Sequence, residues 1–253
     1  MLSISREERV LAYLRDHGKA SITELSQVLA VSEPTIRRDL RQMAARNMVR
    51  RVYGGAVLEN AVGYEPPVLQ RRGLYAEEKE RIGRAAAGLV EDGDTLILLG
   101  GSTTMEVLPH IVNKKDITLI TNSLLVAERA AKYPEITPIM LGGIVRHSEL
   151  STEGHMIQLC LGELHANKVI LGARAISFAT GLMLDRVPEV TVFRDCLRIA
   201  DEVILVADHS KFGQVATAVL GPITVAQCIV TDRGVADDTV TKLRELGVSV
   251  ILA

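Results

Sequence analysis

The 253-residue chain is 47% hydrophobic and 24% charged, with a net charge of −2 and three cysteines. That length and apolar content suit one large or two ordinary domains with full cores, and no apolar run approaches the ~20 residues of a membrane-crossing helix. Cys160, Cys196 and Cys228 are too far apart for a metal or secreted-disulfide pattern, so buried free thiols are expected. The amino terminus is charged almost at once and lacks the apolar core of a signal peptide, which leads to the expectation of a cytoplasmic protein.

Charge is unevenly distributed. Residues 1–58 hold ten Lys/Arg against six acids, so a small basic head is joined to an acidic remainder. Residues 7–16 read as a helix, with Val10, Leu11 and Leu14 at core spacing and Gly18 placed to end it. A second helix starts at Ser21, where Glu24 completes a capping box; Leu25, Val28 and Leu29 form its inner face. A third follows after a short turn, capped by Ser32, with Glu33 at the positive end of its dipole and Pro34 in the first turn. Ile36, Leu40 and Met43 mark its buried edge.

Thr35, Arg37, Arg38, Arg41 and Gln42 then project outward, with Asp39 the one acid expected among them. Guanidinium groups on an exposed helix suit phosphates, and they can grip guanine bidentately. Two turn-linked helices of this kind have the layout of a helix-turn-helix. The stretch MVRRVYGGAVL adds two short strands around Gly54-Gly55, a wing that places Arg50 and Arg51 beside the DNA backbone. Double-stranded DNA is the expected partner of this head.

The run ITELSQVLAVSEPTIRRDLRQM, followed by RRVYGGAV, resembles the amino-terminal signature of the DeoR family of bacterial transcription regulators. The resemblance implies that Ser32, Thr35, Arg37, Arg38 and Arg41 lie on the operator-reading helix.

Residues 59–75, with Pro66-Pro67 and no clean periodicity, read as a linker between a domain at 1–58 and one at 76–253. A helix follows with Ile82, Ala86 and Leu89 on one side. Beyond it, short apolar strands are expected at 95–99, 117–121, 136–141, 168–171, 203–207, 228–231 and 248–252. Helices are expected at 105–112, 124–133, 191–200 and 237–246. This alternation predicts an α/β domain around a mainly parallel sheet, covered on both faces. Ligands of such sheets bind at the carboxyl ends of the strands. Gly, Ser, Thr, Asn, Asp and Lys cluster in the segments after these strands, as a small polar ligand requires. Gly100, Gly101, Ser102, Thr103 and Thr104 leading into a helix read as a phosphate cradle, without the lysine of a Walker loop. In DHSKFG, Asp208 is suited to accept from sugar hydroxyls and Lys211 to neutralise phosphate.

The DeoR resemblance extends from EEKERIG to IVTD. It implies an effector domain similar in fold to ribose-5-phosphate isomerase that senses a phosphorylated sugar. On that basis Gly101, Ser102, Thr103 and Thr104 hold phosphate and Asn122 with Ser123 lines the pocket. Gly142 and Gly143 allow close approach, and Asp208 with Lys211 closes the site. One departure is Asn167-Lys168, where family members commonly have an acid opening the fourth strand; it puts hydroxyl contacts from that side in question. The rival reading is a sugar-phosphate isomerase-like enzyme with a DNA-binding head. Glu106, Glu189, Asp208 and Lys211 are its candidate acid/base groups, but they form no recognisable constellation. His147 and His155 have no metal-site spacing. The sequence therefore leads to a repressor of a carbohydrate-catabolism operon, with no catalytic residue, metal or cofactor. One head presents little surface for specific binding, so a homodimer or larger homo-oligomer on paired half-sites is expected.

Overall fold

The computed structural model describes residues 6–17, 19–45, 48–58 and 66–253, with the side chains at 15, 16, 50, 57 and 58 outside that description. The chain divides into two compact units, Met1–Pro66 and Pro67–Ala253.

In the first unit, α1 (Arg6–His17), β1 (Lys19–Ser21), α2 (Ile22–Leu29), α3 (Glu33–Ala45), β2 (Val49–Val52) and β3 (Gly55–Leu58) follow one another. Gly18, expected to end α1, lies outside the described residues. Val10, Leu14, Leu25, Ile36, Leu40 and Met43 are fully buried and meet in one core. The capping box of α2 is formed: Ser21 Oγ accepts from Glu24 N at 3.1 Å, and Ser21 N donates to Glu24 Oε2 at 2.7 Å. Strand β1 was not expected. Ala20 is buried, and β1 pairs antiparallel with β3, so the wing is a three-stranded sheet in the order β1-β3-β2.

Asp39 departs from the sequence reading. It is buried, and it accepts from Arg6 of α1 at 2.5 and 3.0 Å. It sits one position before Leu40 on the inner arc, where a carboxylate is tolerable only with a partner.

In the second unit a parallel sheet runs through β4 (Thr95–Leu98), β5 (Ile117–Thr121), β6 (Ile136–Met140), β9 (Ala166–Leu171), β12 (Ala200–Val206), β14 (Cys228–Thr231) and β15 (Ser249–Leu252). Its spatial order is β15-β14-β12-β9-β4-β5-β6, every neighbouring pair parallel. Alternate residues feed two cores. Leu96, Leu98, Ile204 and Val206 face one, where α5 (Ala76–Ala87), α6 (Leu108–Ile111) and α7 (Leu124–Ala130) supply Ile82, Ile111 and Val126. Ile97, Leu99, Val203 and Leu205 face the other, where α8 (His155–Leu161), α9 (Val187–Arg198) and α10 (Asp237–Glu245) supply Ile157, Phe193 and Leu243. Both faces are thus covered. Two small antiparallel sheets complete the unit: β7 (Ile144–Arg146) with β8 (Ser151–Glu153), and β10 (Ala175–Ser177) and β13 (Ala218–Gly221) flanking β11 (Gly181–Leu184).

Three expectations are revised. Part of the stretch read as linker is structured: α4 (Val68–Arg71) buries Val68, whose N–H donates to Ser148 O at 2.8 Å; residues 59–65 lie outside the described residues. The helix expected at 105–112 is a 3-10 turn, Thr104–Glu106, followed by the four-residue α6. Pro109 has no N–H to give the Met105 carbonyl and suits the first turn of a new helix, which favours this break over one continuous helix. Cys196 and Cys228 are buried, but Cys160 is exposed because α8 turns Ile157 and Leu161 inward instead.

Helix α5 crosses this 3-10 turn closely. A Cβ on Gly83 would lie 2.3 Å from the Glu106 backbone oxygen. Gly83→Ala is therefore expected to destabilise the second unit by about 2–3 kcal/mol through overpacking. Urea unfolding of the full chain followed by circular dichroism measures this; an unchanged midpoint would contradict the close crossing.

Candidate functional site

On α3 the burial alternates as an amphipathic helix requires. Ile36, Leu40 and Met43 are 0–1% exposed, whereas Arg37, Arg38, Arg41 and Gln42 are exposed and Thr35 is half-buried. Ser32 is exposed; its carbonyl accepts from Thr35 N and Ile36 N, and its hydroxyl lies 2.9 Å from Thr35 Oγ1. Glu33 is drawn to Thr23 Oγ1 at 2.7 Å and to Arg37 at 3.3 Å, the latter an exposed i,i+4 pair of small energetic weight. With Asp39 turned inward toward Arg6, no carboxylate stands between Arg38 and Arg41 on the outer face. Arg51 is exposed on β2, while the Arg50 side chain lies outside the described residues. Tyr53, which the sequence reading passed over, is fully exposed at the wing's turn.

In the second unit the strand order reverses between β4 and β9. In open parallel sheets that is where a crevice opens at the carboxyl ends. The segment after β4 enters it: Ser102, Thr103 and Thr104 are 0–7% exposed, and Thr104 Oγ1 donates to Gly101 O at 2.9 Å. The turn's own hydrogen bonds begin at Met105 N, which donates to Gly101 O. The N–H groups ahead of it are those a helical start offers to an outside acceptor. The segment after β9 lies alongside, since a Cβ on Gly172 would stand 4.0 Å from Thr104 Cγ2.

Asn122 and Ser123 follow β5 beside this loop. Asn122 Oδ1 accepts from Gly100 N at 2.9 Å, and its Nδ2 donates to Thr152 O at 3.1 Å. Ser123 caps α7 through Val126 N at 3.3 Å. Gly142 is open on the side a Cβ would take, but a Cβ on Gly143 would lie 2.6 Å from Glu153 O. The close approach at Gly143 is thus made by β8 of the same chain. Asn167 and Lys168 sit at the opening end of β9, bound to Thr95 N and Asp94 at 2.8 Å each. They belong to the rim opposite the crevice, so the departure there does not bear on it.

After β12, Asp208 is 1% exposed. Its Oδ1 accepts from Ser210 N at 3.0 Å, and its buried Oδ2 has no hydrogen-bond partner among the described residues. Such an orphan acceptor fits a donor brought by a ligand. Asp232 fixes this loop by accepting from His209 N at 2.7 Å and facing His209 Nδ1 at 2.8 Å. Tyr75 packs against the same imidazole in a T-shaped pair, ring centres 4.9 Å apart.

A residue missed from the sequence stands nearby. Lys79 on α5 is 3% exposed, and its Nζ donates to Arg71 O at 2.5 Å. Its ammonium is pulled down to about 8, chiefly by burial and also by Lys211 and Arg71, with Asp208 and Glu106 working the other way. Lys79 therefore shares one electrostatic neighbourhood with the two DHSKFG residues expected at the site. Its spacing was a usable signal: 79, 82 and 86 lie on one helical stripe, and a lysine on an apolar stripe needs an explanation. Among the described residues no His/Cys/Asp/Glu group is arranged to hold a metal.

Comparison with known proteins agrees in both units. A DeoR-like helix-turn-helix domain matches residues 6–62, and the DeoR C terminal sensor domain matches residues 75–233. Over 231 residues the chain is 31% identical to the HTH-type transcriptional repressor GlcR of Bacillus subtilis, covering 90% of this chain and 89% of that protein. It is 29% identical over 249 residues to a putative aga operon transcriptional repressor of Escherichia coli O157:H7, covering 98% and 93%. Among solved structures, a ribose 5-phosphate isomerase from Plasmodium falciparum superposes with a TM-score of 0.38 at 21% identity, over 53% of this chain and 52% of that one. No helix among the described residues is long and apolar enough to cross a membrane. With the helix-turn-helix and sensor domains matched in order along one chain, the protein belongs to the DeoR family of DNA-binding transcriptional regulators.

Proposed function

We propose that the chain is a cytoplasmic repressor of a carbohydrate-catabolism operon whose operator affinity is set by a phosphorylated sugar. The observation that carries the first half is the α3 face, where Arg37, Arg38 and Arg41 are exposed while Asp39, the acid between them in sequence, is buried on Arg6. Arg38 and Arg41 reach base edges or phosphates in the major groove, Ser32 and Thr35 flank them, and Arg50 and Arg51 meet the backbone from the wing. One head reads one half-site, so the working species is a homodimer or larger homo-oligomer.

The effector reading is supported by the charges around the crevice. Phosphate is held by the backbone of Gly101, Ser102, Thr103 and Thr104, with Lys211 and Lys79 supplying positive charge. Asn122 and Ser123 line the sugar side, and the orphan Oδ2 of Asp208 accepts from a sugar hydroxyl. A base and a proton donor arranged for isomerisation are not part of this reading, and relatives such as GlcR are named as transcriptional repressors. An effector changes operator affinity only if it binds the two states unequally.

Arg38→Ala is expected to weaken binding to a selected operator duplex about 10- to 100-fold, while stabilisation by sugar phosphate stays unchanged. Fluorescence anisotropy and thermal shift measure the two; an unchanged operator affinity would mean that α3 does not read DNA. Lys211→Ala should do the opposite, keeping operator affinity and losing the response to sugar phosphate in the same assays.

The sign of the pH dependence follows from Lys79. Its ammonium is charged below about 8 and is lost as pH rises through that value, whereas a phosphate ester is already dianionic above pH 7. Sugar-phosphate affinity should therefore fall between pH 7 and 9, approaching about tenfold per unit above pH 8. Lys79→Arg, which stays charged, should flatten that profile. Calorimetric titration across this range measures it, and a flat wild-type profile would remove Lys79 from the site.

A further inference from the structure

The chain divides between Pro66 and Pro67, so the covalent connection from the DNA-binding unit to the crevice passes through residues 67–79. Within them α4 is a single turn, too short to persist on its own. Beyond the burial of Val68, its holds come from elements around the crevice. Val68 N donates to Ser148 O, and Arg71 forms a largely buried pair with Glu149, both partners lying in the turn between β7 and β8. That turn is fastened to the Asn122 segment, since Leu124 N donates to Leu150 O and Thr152 N to Asn122 O, each at 2.8 Å. Arg71 O accepts from Lys79 Nζ. Arg72 faces Glu106, in the 3-10 turn after the cradle, at 3.6 Å. Tyr75, whose ring rests on His209, is held at φ +53°, a left-handed conformation that a bulky side chain takes only where its surroundings impose it.

We propose that residues 67–79 form a strap that transmits occupancy of the crevice toward the DNA-binding unit, with Arg71, Glu149 and Tyr75 as coupling residues that touch no ligand. The strap rests on the effector reading above. An ammonium has three donors, and Lys79 uses one on Arg71 O, so a phosphate takes another without breaking that bond. A dianion bound in this way fixes Lys79 in place, and with it the carbonyl at the carboxyl end of α4. The same ligand orders the cradle turn and the DHSKFG loop, on which Arg72 and Tyr75 rest. Occupancy therefore tightens α4 and the point at which the chain enters this unit. A single turn whose order depends on its neighbours is an element that two sites can both bias, which is what coupling between them requires.

The test uses the full chain with ribose 5-phosphate, fructose 6-phosphate and glucose 6-phosphate, taking forward whichever binds in calorimetric titration. Hydrogen exchange at the Val68, Arg71 and Arg72 amides should slow tenfold or more when it is added. Anisotropy on the selected operator duplex, with and without the sugar phosphate, gives the coupling as the ratio of the two affinities. In wild type that ratio should depart from one by tenfold or more. Glu149→Gln keeps the shape and an acceptor but removes the charge, and Tyr75→Asn keeps a residue tolerant of positive φ but removes the ring. Each should bring the coupling below threefold, while affinity for the sugar phosphate, and for operator in its absence, stay within threefold of wild type, which also shows that the variants are folded. Tyr75→Asn alone decides where Glu149→Gln does not fold. Coupling retained in the folded variants, sugar-phosphate affinity lost in them, or unchanged exchange at the three wild-type amides would overturn the strap and leave the effector reading standing. Failure of every sugar phosphate to bind wild type, or to change its operator affinity, would instead overturn the effector reading, and the strap with it.

Discussion

Strands β4 and β9 lie side by side and parallel, yet the chain leaves them toward opposite edges of the sheet, β4 to β5 and β9 to β12. The loops that follow must part, and a crevice opens between them. Everything proposed for the effector follows from that parting. It brings the Gly101–Thr104 segment against Gly172, sets Asn122 beside Gly100, and places Asp208 one strand further along the same rim. The apolar residues on both faces of the sheet hold the strands in this order, so the rim is carried by a sheet with a buried core on each face.

Burial governs the charges in both units. Asp39 escapes the cost of an isolated buried carboxylate by pairing with Arg6, and in doing so leaves the outer side of α3 cationic. Lys79 meets the same cost differently. It keeps one backbone acceptor, Arg71 O, and its ammonium is weakened toward neutrality by the water it has lost and by the cations around it. A lysine in that condition is a poor structural choice, and it gains from an arriving dianion. Arg146 and Glu189 show a third arrangement, a largely buried ion pair formed within the fold.

The first helix of the second unit is tied to α5 and to the segment between β7 and β8. Val68 N donates to Ser148 O, and the hydroxyl of the same serine accepts from Arg146. Arg71 pairs with the buried Glu149 and offers its carbonyl to Lys79. Any change in the partner or protonation of Lys79 therefore alters a bond that holds α4, the element with which the chain begins this unit.

Local pattern was enough for most of what depends on spacing along the chain, although Val28, expected on the inner face of α2, is exposed there while Ile22 is buried. The capping box at Ser21, the buried stripe of Ile36, Leu40 and Met43, the wing turn and the run of apolar strands all follow from neighbours a few residues apart, where periodicity and backbone sterics act. The inward turn of Asp39 did not, because its partner Arg6 lies 33 positions away. Likewise β1 needs β3 to pair with, and the role of Lys79 needs Asp208 and Lys211 brought across the fold. Residue types along the chain determined the two kinds of unit and their charge; strand order and burial decided which charges are hidden, which are shared, and where a ligand can reach them.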